Sequence, residues 1–173
     1  MLTKKQKKLF KELEEIVELA GLNYKEIEKL DKDAIIPTLD ITRRQVVRGY
    51  VVNCYVLIDE FLNMILCNYY FGRKGFQYLW RTKKFKRFNY YFLEEVSTRA
   101  KLKQVKEIKK IPKSILSIIE NIIDVRNALA HSFYPENLKK VRPVYKGKDI
   151  FTLEGLKQLS EDMDKITKYF IGV

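Results

Sequence analysis

The chain is poor in the residues that build metal centres and disulfide frameworks. It has one histidine, His131, and two cysteines, Cys54 and Cys67, among 173 residues. A site built on several His ligands is excluded within one chain. Cys54 and Cys67 have no Cys or His neighbour in sequence, which excludes a disulfide scaffold and a zinc knuckle. No metal or other cofactor is expected. Glycine (7) and proline (4) are scarce, so neither a fibrous repeat nor a sandwich of many short strands is expected. The first residues, MLTKKQKKLFKELEE, lack an apolar signal core. Uninterrupted apolar runs are missing as well. The longest, 49–71, contains Asn53, Asp59, Glu60, Asn63 and Asn68. Two adjacent carboxylates near its middle argue against a membrane span. Unpaired cysteines without an export signal point to a reducing cytoplasm.

What is present is apolar material, at 46%, and charge, at 32%. That suffices for a packed core. The periodicity reads as all-α: one domain over 1–173, a bundle of five or six helices. Residues 1–36 form an N-terminal helical extension and 37–173 the bundle core. Leu9, Leu13, Ile16 and Leu19 recur at helical spacing over 3–20. A short turn or helix follows at 24–30, and Pro37 falls in a connection. The longest helix is expected at 42–71, apolar almost all round and therefore buried by neighbours. Mixed helical patterns cover 76–96 and 98–109. Pro112 suits the first turn of a helix running to about 133, where Pro135 stops it. Residues 144–152 have the pattern of a small β-hairpin turning at Lys146-Gly147-Lys148, and 153–170 close the chain as a helix.

The net charge of +12 is concentrated. Residues 73–110 hold thirteen Lys and Arg against Glu94, Glu95 and Glu107, a net of +10. Aromatic residues interleave them, among them Trp80, Phe85, Tyr90 and Tyr91. Basic groups neutralise phosphates and aromatic faces stack on unpaired bases. Self-repulsion at this density favours a polyanionic partner over a merely solvated face. The partner expected is RNA, with Lys83, Lys84 and Arg87 in contact with it.

The sharpest pattern is Asp124-Val125-Arg126-Asn127-Ala128-Leu129-Ala130-His131. On a wheel at roughly 100° per residue, Ile115, Ile118, Ile119, Ile122, Val125 and Leu129 share one face. Asp124, Asn127 and His131 share the opposite stripe. Arg126 falls on the apolar side. A guanidinium cannot shed its charge, so there it must be paired or must line a cleft or a subunit interface. In the long helix, Asn53, Asp59, Glu60, Asn63 and Cys67 form a polar stripe, and Asp59 or Glu60 is expected to hold Arg126.

This stretch resembles the HEPN family of all-α nucleic-acid-processing and nucleotide-binding domains. Their signature is an Arg, a polar residue, and a His a few positions further on. The resemblance implies a HEPN-like bundle acting as a metal-independent endoribonuclease, a toxin or defence effector. It also implies a homodimer whose two motifs line one cleft, and an antitoxin protein as a further partner. RNA supplies its own nucleophile, the 2′-OH. His131 suits the proton transfers, Arg126 the developing phosphorane charge, and Asn127 the orientation of either. Some HEPN toxins carry a modified Tyr two places after the His; here that place is Phe133, and Tyr134 is read as a cleft or packing residue. The competing reading is a non-catalytic module of the same type that binds RNA or a nucleotide, or that dimerises.

Overall fold

The computed structural model describes residues 4, 6, 11, 16, 24–72, 82–130 and 143–172. Within them the protein is all-α, with one small hairpin. The helices are α1 (Tyr24–Ile27), α2 (Lys32–Phe71), α3 (Lys83–Phe88), α4 (Thr98–Ile108), α5 (Lys113–Ala130) and α6 (Leu153–Ile171). A π-helical turn, Asn89–Leu93, continues α3. Strands β1 (Val144–Tyr145) and β2 (Lys148–Asp149) pair antiparallel. The helix expected at 3–20 lies mostly outside the described residues; Lys4, Gln6, Lys11 and Ile16 are each helical. The chain divides into two compact units, 1–49 and 50–173.

In the first unit, α2 begins ten residues earlier than its pattern indicates, at Lys32, and runs through Pro37. The connection expected at Pro37 is therefore helix. Proline lacks the N–H that would reach the Asp33 carbonyl, and both residues are exposed, so water can take that bond. Asp40 accepts from Arg43 and from Arg44 Nε at 2.7 Å. The Arg44 hydrogen bond, with help from Arg43, holds the Asp40 carboxyl below its usual range despite some desolvation.

In the second unit, α2 buries Val51, Cys54, Ile58, Phe61, Leu62 and Leu66. Steps of three and four keep them on one stripe. The expectation that this helix is buried all round is corrected. Val52, Val56 and Leu57 are exposed, because the apolar partners lie along one stripe of the helix and the other side is open. α2 is also long and apolar enough to cross a membrane, with mean hydropathy 1.5 over eighteen residues. Core helices of soluble proteins share that composition. Helix α5 contributes Ile115, Ile118, Ile119, Ile122 and Val125 to the core, and α6 contributes Leu159, Met163 and Ile166. Each such side chain is worth about 1.5–3 kcal/mol of transfer free energy.

The hairpin packs on the start of α6. Its two-residue turn, Lys146 (φ 48°) and Gly147 (φ 85°), has both residues left-handed, the geometry that matches the twist of paired strands. Thr152 caps α6 by accepting from Gly155 N at 3.1 Å. A Cβ at Gly155 would lie 2.2 Å from the Asp149 carbonyl oxygen, so only glycine fits there. About two helical turns further on, fully buried Asp162 ties the hairpin down. It accepts from the Tyr145 hydroxyl at 2.9 Å and pairs with Lys146 Nζ at 2.6 Å and Lys165 Nζ at 2.8 Å. Burial alone would push its carboxyl up. The two ammonium groups and the phenol more than offset that, and hold it below the ordinary 3.8. A carboxyl depressed in the folded state stabilises at neutral pH and loses that contribution as pH falls through its folded value. Melting temperature should therefore drop more steeply below about pH 4 in the wild type than in Asp162→Asn. Parallel acid limbs in a calorimetric pH series would contradict this role.

Candidate active site

Three helices of the second unit converge around Tyr55. Arg126, on α5, places its guanidinium 4.7 Å from the centre of the Tyr55 ring on α2. Its Nη1 donates to Asn127 Oδ1 at 3.2 Å. It makes no ion pair among the described residues and is half-buried. A guanidinium held over a ring by its charge leaves N–H donors available, and among the described residues only one donor is spent. Among the described residues Arg126 is thus a cation with unused donors, which a guanidinium can direct to two oxygens of one phosphate.

The carboxylate expected to hold Arg126 does something else. Asp59 Oδ2 accepts from Lys101 Nζ, on α4, at 2.6 Å, and from Asn63 Nδ2 at 3.3 Å. Asp59 Oδ1 accepts from the Thr98 hydroxyl at 2.6 Å. That hydroxyl has one proton, so the Tyr55 hydroxyl, 2.7 Å away, donates to Thr98. The chain Tyr55–Thr98–Asp59–Lys101 fixes the ring on which Arg126 rests. The pairing of Arg126 with Asp59 or Glu60 is corrected on this geometry: Lys101 neutralises Asp59, and Glu60 is exposed, without an ion pair among the described residues.

Asn127 is half-buried beside Arg126. Asp124 pairs across the surface with Arg99 of α4. His131 and Tyr134 lie outside the described residues. Lys83, Lys84 and Arg87 are exposed on α3, Lys84 with its ammonium 5.3 Å from the centre of the Phe71 ring. The aromatic residues of the basic segment divide. Phe85 is buried and Phe88 stacks on Phe92 at 4.9 Å, whereas Tyr90 and Tyr91 are 55% and 80% exposed. Lys101 does not belong to the basic surface, being 3% exposed and committed to Asp59.

Sequence reasoning missed Tyr55, Thr98 and Lys101. Tyr55 had a findable signal, one helical turn before Asp59 on the same helix. Lys101 had none, since in a run of lysines nothing marks the one that turns inward. The thiols offer no nucleophile: burial pushes both Cys54 and Cys67 up to about 11. Among the described residues no cluster of His, Cys, Asp and Glu could hold a metal ion. No family model matches the sequence, and neither a curated protein nor a solved structure matches it.

Proposed function

We propose that the protein is a metal-independent endoribonuclease of HEPN type, a toxin or defence effector of the cytoplasm. The observation that supports this most is Arg126, a cation held on Tyr55 that, among the described residues, has no carboxylate to neutralise it and most of its donors unspent. A guanidinium so placed meets a phosphate without first breaking an internal ion pair. In the reaction the 2′-oxygen attacks the adjacent phosphorus as its proton is removed, and the 5′-oxygen leaves as it is protonated. Arg126 stabilises the charge gathering on the non-bridging oxygens, and His131 moves the proton. One chain has one His, so a second imidazole requires a homodimer. Exposed Val52, Val56 and Leu57 on α2 offer apolar surface for such an interface. An antitoxin protein is the further partner that this reading implies.

Purified protein should cut RNA in EDTA and leave 2′,3′-cyclic phosphate ends. Intact RNA under those conditions would move the non-catalytic binding module to first place. RNA should also be held through Lys83, Lys84 and Arg87. Reversing all three to Glu should lower the slope of log K against log salt by about 2, at ~0.7 per phosphate contact on a single strand. An unchanged slope would make α3 a solvated surface.

A further inference from the structure

Among the described residues of 82–110, the large apolar side chains that face solvent are Tyr90 and Tyr91. They stand side by side on the π-helical turn, and that turn explains their exposure. The Glu94 N–H donates to the Asn89 carbonyl at 2.9 Å, five residues back, so the turn must accommodate more chain than an α-turn does. Phe88 and Phe92 stack on each other, and Phe88 meets Tyr70 at 5.7 Å and Phe71 at 5.1 Å, at the end of α2. Leu93 is buried. Tyr90 and Tyr91 are left on the outer side of the turn. Among the described residues neither ring meets another ring, and neither hydroxyl is hydrogen-bonded.

Cations stand beside these rings. Lys86 precedes Tyr90 and Arg87 precedes Tyr91, each by four residues, so each cation and its ring share a side of the helix. Lys83 extends the Arg87 side by a further turn. All three are exposed and make no ion pair among the described residues. A ring to stack on a base, with a cation one turn away for its phosphate, is the composition of a single-strand binding surface. The directions of the two rings sharpen this. Neighbouring residues on a helix point roughly a quarter-turn apart. Two bases that remain stacked on each other cannot lie on both rings. Each ring takes a base that has parted from its neighbour, which an unpaired strand allows and a duplex resists.

We propose that Tyr90 and Tyr91 form a stacking platform that selects unpaired RNA, with Lys86 and Arg87 on the flanking phosphates. The proposal rests on RNA as the partner and narrows that partner to single strands, loops and ends. A membrane surface fits this face less well. A helix lying in a membrane interface inserts residues such as Leu, Phe or Trp, whereas here Phe85 and Leu93 are buried and Phe88 and Phe92 are engaged with each other.

The experiment is a titration in EDTA of the full chain against a single RNA strand of about twelve nucleotides, with every 2′-hydroxyl methylated. The same strand annealed to its complement is measured beside it. The single strand should bind at least about tenfold more tightly than the duplex. Tyr90→Ala and Tyr91→Ala should each weaken single-strand binding about tenfold, a loss of about 1.4 kcal/mol, and leave duplex binding unchanged. Neither ring neutralises a phosphate, so the salt slope in both variants should match that of the wild type. Tyr91→Phe keeps the stacking face and should keep the affinity. Both side chains are exposed, so the fold should survive these changes. The methylated strand cannot be cut, so this titration reads the platform alone, and cleavage of unmodified RNA in EDTA reads the nuclease separately. Equal affinity for strand and duplex would overturn the proposal. So would wild-type affinity in both alanine variants, or tyrosine-dependent binding to phosphatidylserine vesicles with none to the single strand.

Discussion

Replacing His131 with alanine should lower RNA cleavage in EDTA by about 10²–10⁴-fold, the usual worth of a general acid or base. RNA binding should stay within about twofold, because proton transfer contributes in the transition state and not in the ground state. Arg126→Ala should cost about 10²–10³-fold in cleavage, as for loss of one donor to a developing oxyanion. Its effect on folding should be small. Among the described residues Arg126 neutralises no carboxylate, so its removal leaves none of them stranded. What is lost is its contact with the Tyr55 ring, about 0.5–2 kcal/mol. Arg126→Lys should not rescue cleavage, since an ammonium cannot present a planar pair of donors. An Arg126→Ala, His131→Ala double variant that still cuts RNA at the wild-type rate would sink the assignment.

The largest effect on stability belongs to Asp59. Asp59→Ala should destabilise the protein by about 3–5 kcal/mol, because it strands an ammonium that is 3% exposed in the core. In a domain of this size that lowers the melting temperature by on the order of 10 °C. Adding Lys101→Met should recover part of the loss, as no buried charge then remains. Thr98 loses its acceptor in both variants, so recovery stays incomplete. Cleavage should not recover, because Tyr55 stays untethered. If Asp59→Ala melts within about 1 °C of the wild type, the network carries no weight in the fold.

The helices from 98 onward were legible because their apolar residues recur at helical spacing and their ends carry caps. Ser97 accepts from Ala100 N, and Thr152 accepts from Gly155 N. The hairpin was legible in Lys146-Gly147. Pro37 misled, because a proline near a helix start breaks one hydrogen bond at an exposed site and does not force a stop. The π-helical turn at Asn89–Leu93 has no periodic signature, and Tyr90 and Tyr91 face solvent there. For the site, the wheel placed Arg126 on the buried side, and it is half-buried. The wheel could not name its partner. An aromatic face can hold a guanidinium in place without a carboxylate, and two neighbouring acids made the ionic solution look sufficient. Tertiary geometry chose Lys101 for Asp59, which no local spacing encodes.

The contact between α6 and the hairpin leaves a mark that can be sought in other chains. The approach to Asp149 demands glycine at 155, the turn favours glycine at 147, and a buried carboxylate at 162 needs the phenol at 145. Tyr, Gly, Gly and Asp at these intervals, read in sequences too divergent for alignment, would recognise the C-terminal part of this architecture. Drift elsewhere along the chain would not erase that pattern while the hairpin stays docked.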